Sequence, residues 1–527
     1  MSQLRDGLQE QLNLLPQYLT AHLQLALMAL ALGALVSIPL GIWVVRHPRL
    51  ETALLGLASV IQTVPSLALL AIMVPLLSAL NHVTQAHLGF EVHNIGFTPA
   101  LIALTLYSML PILRNAVTGL QGVDPALTEA ARGVGMTAWQ RLWRVELPQA
   151  LPTMVAGMRT ATTWVVSMTV LSTPVGAPSL GNYIFTGLQT RNPAAILVGC
   201  GSAAALALVL DAIIRALEVG AQTGRRRRTG GALALLALLY LFVGQSLYAQ
   251  SRQPAHAEIR IGAKTFTEQY ILAEILAQQL RARAASPRVR VVQSLGSNVA
   301  YEALKSGAID AYVEYSGTVF TTLMKRQDTL PRLQLTEAVR NYLGQNGGVT
   351  VAATLGFANS YTLAMPRKAA QRQRIVDLTT LADAAPTLRL AGDYEFFSRP
   401  EWRNLQRIYG LAFAEQRSMD PALIYDAVAS GSVDLVAAYS SEGRLAALDL
   451  LLLEDTQGAI APYDALVLVG PSLRHNQAAV VALSELDNAI DLETMQRLNY
   501  AVDHDHKSPA EVAAAWLRSR PAASDKH

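Results

Sequence analysis

Cysteine occurs once in 527 residues, as Cys200 inside an apolar run, so no intrachain disulfide can form and any exported part must fold without one. Lysine is missing from the first half: Lys264 is the first in the chain, and the cations before it are arginines. Charged residues make up only 15% of the chain and hydrophobic ones 51%, too apolar for an average soluble protein and too polar for one made only of membrane spans. A net charge of +3 is too small to argue for a nucleic-acid partner. No G-x-x-x-x-G-K-S/T phosphate loop occurs, which argues against phosphate-loop nucleotide hydrolysis by these residues. The pair of histidines in HDHK at 504–507, with one aspartate between them, is too sparse for a metal site. No metal and no cofactor is expected.

What is present divides into two halves. Apolar runs long enough for a bilayer core of about 30 Å lie at 22–45, 53–80, 98–116, 154–173, 194–214 and 232–249, predicting six spans. Arginine collects after the first (Arg46, Arg49), third (Arg114, Arg132, Arg141, Arg144) and fifth (Arg225 to Arg228), and the loops after the second and fourth carry only Arg191. Because cytoplasmic loops hold the positive charge, the amino terminus and everything after Ala249 are expected outside. Arg159 near the start of the fourth run reads as a side chain that snorkels to the cytoplasmic interface, and QTVPSLALL at 62–70 as a proline-kinked span.

The sixth run has the form of a secretory signal: four arginines, an apolar stretch, then Ala255-His256-Ala257. In mid-chain the same physics carries the following domain across the membrane. Its length of roughly 18 apolar residues favours a retained tether over cleavage at Ala257–Glu258.

Between the third and fourth runs, EAARGVGMTAWQRLWRVELPQALP at 129–152 predicts a short helix, a break at Gly133 and Gly135, and a second helix stopped by Pro148 and Pro152. Small side chains on the first helix suit close docking of a partner. The order and spacing of Glu129-Ala130-Ala131, Gly135 and Val145-Glu146-Leu147-Pro148 resemble the coupling loop of ABC importer permeases. That resemblance implies that Glu129, Ala130, Ala131, Gly135, Leu147 and Pro148 dock on a separate cytoplasmic ATPase, present as a dimer, and that two permease chains pair around one pathway.

From Glu258 onward short apolar strands alternate with helices, a parallel-sheet α/β pattern that restarts after Val349. A second lobe inserted at about 361–463, with the first lobe at about 258–360 and 464–520, would be joined by crossings near 358–360 and 460–463. The expected fold is thus multi-domain: an all-α polytopic permease domain (1–220), a sixth span and linker (221–257), and a two-lobed α/β domain of the periplasmic-binding-protein type (258–527). Tyr315, Tyr361, Tyr439 and Tyr463 stand beside turns at strand ends, where ligands bind α/β sheets. Tyrosine faces brought together attract a quaternary ammonium by about 0.5–2 kcal/mol per contact, without supplying a carboxylate.

IGAKTFTEQYILAEI (261–275), YVEYSGT (312–318), AGDYEFFSRPEW (391–402) and AAYSSEGRL (437–445) resemble the binding proteins of osmoprotectant-type ABC importers. The resemblance implies that those four tyrosines form the cage and that Lys264, Thr318 and Arg399 hold a ligand carboxylate, which favours a betaine over choline. Asn359 stands where some relatives carry Asp. Together the two resemblances imply a permease fused to its own binding domain in a bacterial inner membrane, importing glycine betaine or a larger trimethylated betaine such as carnitine or ergothioneine. A membrane-anchored receptor would need a cytoplasmic output domain, and an enzyme would need a reactive group beside the cage. Glu314 is the one candidate for the latter and reads better as a cap on turn amides.

Overall fold

The computed structural model describes residues 2–88, 95–190, 192–251, 258–284, 288–326, 328, 330–393 and 396–520. Arg191 and the Ala255-His256-Ala257 tripeptide lie outside these residues. The chain forms two compact units, one of membrane helices and one dominated by residues after 255.

The first unit is built from α1 (Ser2–Val44), α2 (Pro48–Thr63), α3 (Ser66–Leu88), α4 (Phe97–Gln121), α5 (Pro125–Gly133), α6 (Ala138–Arg141), α7 (Leu147–Thr169), the start of α8 (Gly181–Gln189), α9 (Pro193–Thr223) and α10 (Arg226–Ser251), while Thr186–Pro193 group with the second unit. Among the described residues, four helices are long and apolar enough to cross a membrane: Leu14–Val44 of α1, α4, α9 and Arg226–Ala249 of α10. Pro48–Thr63 and Ser66–Asn81 make a fifth if counted together, bent by 101° at their break. Four or five such helices are thus seen where six spans are expected. Two physical reasons account for the difference. Pro65 cannot continue α2, and the Val64 carbonyl left at the break accepts the Tyr107 hydroxyl instead. The fourth run lies on α7, whose Arg159, Thr160, Thr162 and Thr163 lower its apolarity.

Arg159 does not simply reach for the interface. Its guanidinium forks onto Asp211 of α9 at 2.6 and 3.1 Å, with Glu218 at 3.4 Å. An intramembrane cation is costly when alone, on the order of 2.5–3.5 kcal/mol at mid-span, and a bidentate carboxylate offsets that cost. Arg159→Leu alone, which strands Asp211, is expected to lower the yield of folded protein more than the double change Arg159→Leu with Asp211→Leu. Fluorescence-detected size exclusion of the three proteins checks this.

The second unit contains two five-stranded sheets. Its elements in order are β1 (Ile259–Lys264), α11 (Thr267–Arg283), β2 (Val289–Leu295), α12 (Ser297–Lys305), β3 (Ala311–Tyr315), α13 (Ser316–Thr318), α14 (Arg332–Gln345), β4 (Thr350–Ala358), β5 (Tyr361–Pro366), α15 (Arg367–Gln373), α16 (Leu378–Ala384), β6 (Arg389–Gly392), α17 (Pro400–Tyr409), β7 (Glu415–Ser418), α18 (Pro421–Ala429), β8 (Leu435–Tyr439), α19 (Arg444–Ala447), β9 (Leu450–Leu452), β10 (Asp464–Val469), α20 (Gln477–Ser484), α21 (Leu492–Asp503) and α22 (Pro509–Ser519). Strand orders are β2-β1-β3-β10-β4 and β7-β6-β8-β5-β9.

The sheets are mixed rather than parallel. β10 runs antiparallel to β3 and β4, and β5 antiparallel to β8 and β9. The chain leaves the first sheet through β4, enters the second through β5 after Asn359-Ser360, and returns through β10. These through-going strands reverse direction where the classical β-α-β crossovers would not, and so bring the two crossings side by side: Asn359 N donates to the Tyr463 carbonyl at 2.9 Å.

Candidate functional site

The two crossings carry the tyrosines. Tyr361 opens β5, Tyr439 closes β8 directly across from it in register, and Tyr463 precedes β10. The Tyr361 ring lies 4.6 Å from that of Tyr439 and 5.8 Å from that of Tyr463, edge-on to the latter. Phe396 joins Tyr361 at 5.7 Å, and Phe266 stacks on Tyr439 at 6.3 Å. These two phenylalanines were not singled out from the sequence. Gly317 lets Tyr463 in, since a Cβ there would come within 2.5 Å of the ring. Tyr315 stands apart from this ring cluster, with the Lys264 ammonium 4.9 Å over its face.

Behind the rings stand buried carboxylates, which corrects the expectation of a cage without them. The Tyr315 hydroxyl donates to Glu268, the Tyr463 hydroxyl to Glu401 and the Tyr439 hydroxyl to Asp393 at 3.1 Å, with the Tyr361 hydroxyl 2.9 Å from that of Tyr439. Burial raises all three donor tyrosines well above their ordinary pKa, so they remain neutral phenols. Asp393 and Glu401 sit at the hydroxyl edges of the cluster's rings, where a carboxylate strengthens attraction for a cation in a site shielded from water. Burial also raises the Glu268 carboxyl, against hydrogen bonds from Ser441, Tyr315, Asn499 and Asn359 that lower it. Glu268 and Asp393 escaped the sequence reading because they lie inside quoted motifs (TEQY, GDYEFF) where an acid next to a turn usually caps it; Glu401 reads in the sequence as an ion-pair partner for Arg399, and it accepts from Tyr463.

The expected carboxylate holders are distributed unevenly. Arg399 stands at the N-cap position of α17 without a side-chain cap, its guanidinium 5.2 Å over the Tyr361 ring. Lys264 is buried at the end of β1, and its Nζ contacts Glu314 at 2.5 Å. Its charge is thereby already compensated. Glu314 also accepts from Tyr315 N at 2.8 Å and the Tyr312 hydroxyl at 3.0 Å, a fully engaged structural group. Thr318 is buried in α13, and Asn359 Nδ2 donates to Glu268 at 3.0 Å. His504 stacks on Tyr500 at 4.5 Å and pairs with Asp505.

On the far side of Tyr439 the cleft closes over Asp503 of α21, which accepts from the Thr267 hydroxyl at 2.7 Å. Burial, with the Glu442 charge beside it, pushes the Asp503 carboxyl up to about 7, against Arg444 and Thr267. Its value in the unfolded chain is about 3.9, so the folded state holds the extra proton between these limits. Stability from this group is complete below the lower value and is lost as pH rises through 7. Thermal unfolding at pH 5 and pH 8 is expected to show a smaller decline for Asp503→Asn than for the native chain.

The predicted coupling loop is exposed and apolar. Asp124 caps α5 by accepting from Ala126 N at 2.8 Å, and Thr137 with Gln140 forms a capping box on α6. Gly135 between them has φ +78, a left-handed conformation that disfavours any side chain. Glu129 and Ala130 are exposed, and Ala131 is buried against the helices. Leu127, Val134, Trp139 and Trp143 are all at least 43% exposed, the two tryptophans paired at 5.4 Å. The second helix is not stopped at Pro148 or Pro152. It passes through one π-turn, Leu142–Glu146, into α7; the turn already breaks the hydrogen-bond ladder, and Pro148 in the first turn of α7 needs no N–H.

Comparison with known proteins places both units. Residues 33–221 match the binding-protein-dependent transport system inner membrane component, and residues 257–519 the substrate binding domain of the ABC-type glycine betaine transport system. A glycine betaine/carnitine/choline transport system permease protein of Bacillus subtilis (strain 168) is 38% identical over 197 residues, 37% of this chain and 83% of that one. The chain belongs to the osmoprotectant-type ABC importers, as a permease fused to a substrate-binding domain. An importer subunit of this kind is non-catalytic, is embedded in the membrane with its binding domain of extracytoplasmic type, and works with a cytoplasmic ATPase. A relative in Helicobacter pylori (strain G27), described as an ergothioneine transport permease and ergothioneine binding protein, is 27% identical to this importer over 503 residues, 93% of this chain and 87% of that one. A crystal structure of a glycine betaine/carnitine/choline ABC transporter is 27% identical and covers 50% of this chain and 98% of its own, with a TM-score of 0.45.

Proposed function

We propose that this importer carries a trimethylated zwitterion larger than glycine betaine, of the ergothioneine or carnitine kind. The observation that carries the reading is the tyrosine cluster of Tyr361, Tyr439 and Tyr463 backed by Asp393 and Glu401, with the Arg399 guanidinium over Tyr361: a cation site beside an anion site. Tyr315, Lys264, Thr318 and Asn359 lie outside this ring cluster and complete the proposed site, Lys264 with its charge held by Glu314. Supporting the larger ligand is the similarity along 93% of the chain to the H. pylori protein, whereas the permease relatives named for betaine, carnitine and choline align over less than half of it. The test is a thermal-shift panel on the full chain in detergent with ergothioneine, carnitine, glycine betaine and choline. Ligand that binds only the folded state raises the midpoint with concentration. Ergothioneine or carnitine is expected to act at the lowest concentration and choline, lacking an acid for Arg399, at the highest. Glycine betaine acting at a lower concentration than both larger ligands overturns the reading.

For the membrane unit, we propose that α7 also crosses. Its 23 residues span about 35 Å, Asp211 compensates its arginine, and the arginine-rich segments before α7 and after α9 lie on one side only if both helices cross. Two such chains pair around the pathway. Glu129, Ala130, Ala131, Gly135, Leu147 and Pro148 then frame the surface of Val134, Trp139 and Trp143 that meets the ATPase.

A further inference from the structure

A cavity of about 60 Å³ adjoins the tyrosine cluster, with Phe266, Glu268 and Tyr439 in its wall. Three polar atoms of its lining residues are buried and have no hydrogen-bond partner among the described residues: Asn359 Oδ1, Asn499 Oδ1 and Arg444 Nη1. Buried polar groups left unpaired are rare and costly, and three around one cavity call for a ligand. The amide orientations follow from their other bonds. Asn499 Nδ2 donates to the Ser441 carbonyl at 2.7 Å and to Glu268 at 3.3 Å; a carbonyl accepts only from nitrogen here, so Oδ1 faces the other way. Asn359 Nδ2 donates to the same carboxyl group. Arg444 is held by Glu442 at 2.6 Å and by stacking 4.1 Å over the Tyr425 ring, which fixes where its Nη1 lies.

We propose that this cavity is a polar subsite for the end of the ligand remote from the trimethylammonium, and that it takes a group with N–H donors for the two asparagine oxygens and one strong acceptor for Arg444. The proposal rests on the reading of this domain as a binder of trimethylated zwitterions and names the substrate class within it: an azole, amide or thiourea-like edge on the second end. Glycine betaine has no N–H and leaves both oxygens unpaired. Sites built to hydrogen-bond a ligand donor reject analogues that lack it far more strongly than apolar pockets reject a missing methylene.

The test is calorimetric titration of the full chain in detergent with ergothioneine, its ring-N-methylated analogue and glycine betaine. The native chain is expected to prefer ergothioneine to both by at least about tenfold, and Asn499→Ala to reduce that preference to within about threefold. Equal affinity of the native chain for all three, or an unchanged preference in Asn499→Ala, overturns the subsite while leaving the cage reading intact. Binding of none of them overturns the cage reading, and the subsite with it. If Asn499→Ala does not fold, the comparison of ligands on the native chain decides.

Discussion

Replacing Tyr361 with alanine is expected to weaken ligand binding by the full chain on the order of 100-fold, about 2.7 kcal/mol. Tyr361 is the one ring that touches Tyr439, Tyr463 and Phe396 together and also lies beneath Arg399. Its loss removes a cation-facing surface and the platform for the guanidinium in one step. Tyr361→Phe keeps the ring and loses the hydroxyl that meets Tyr439, so its affinity is expected within about tenfold of native. Titration separates the two. A Tyr361→Ala chain binding within twofold of native contradicts a cation site at this cluster.

The second large effect is on transport alone. Val134→Asp puts a charge on a side chain that is 74% exposed beside the left-handed Gly135, on the surface proposed to meet the ATPase. ATP-dependent uptake is expected to fall more than about tenfold, as for a charge buried in an apolar interface, with ligand affinity unchanged. Unaltered uptake removes this surface from the coupling account. Affinity falling in parallel with uptake does the same, because it makes the defect one of folding.

Much of this was legible in the sequence, and the reasons for the rest are specific. The extent of α11 follows from its flanking strand and charged end, and the two lobes from the restarted alternation of strands and helices. Antiparallel β5 and β10 were not legible, because strand direction depends on the route of the chain through the crossings and leaves no mark on composition. Apolarity alone is least decisive at α7, where polar side chains interrupt an apolar run and are compensated by Asp211, 52 residues away. At Pro148 the rule that proline stops a helix gave way to a π-turn. At the cage, four tyrosines were visible as residue types, but the carboxylates behind them are distant in sequence: Glu268 lies 47 residues from Tyr315, and Glu401 62 from Tyr463. Lys264, expected at the ligand, is also paired with Glu314, a partner 50 residues away that spacing does not reveal.

The most direct test of import by this chain is ATP-dependent accumulation of labelled ergothioneine in proteoliposomes that hold the native chain and the ATPase subunit that co-purifies with it. The account predicts accumulation against a gradient that is abolished without ATP and in Tyr361→Ala. No accumulation of ergothioneine or carnitine, in vesicles where glycine betaine is taken up, would contradict it.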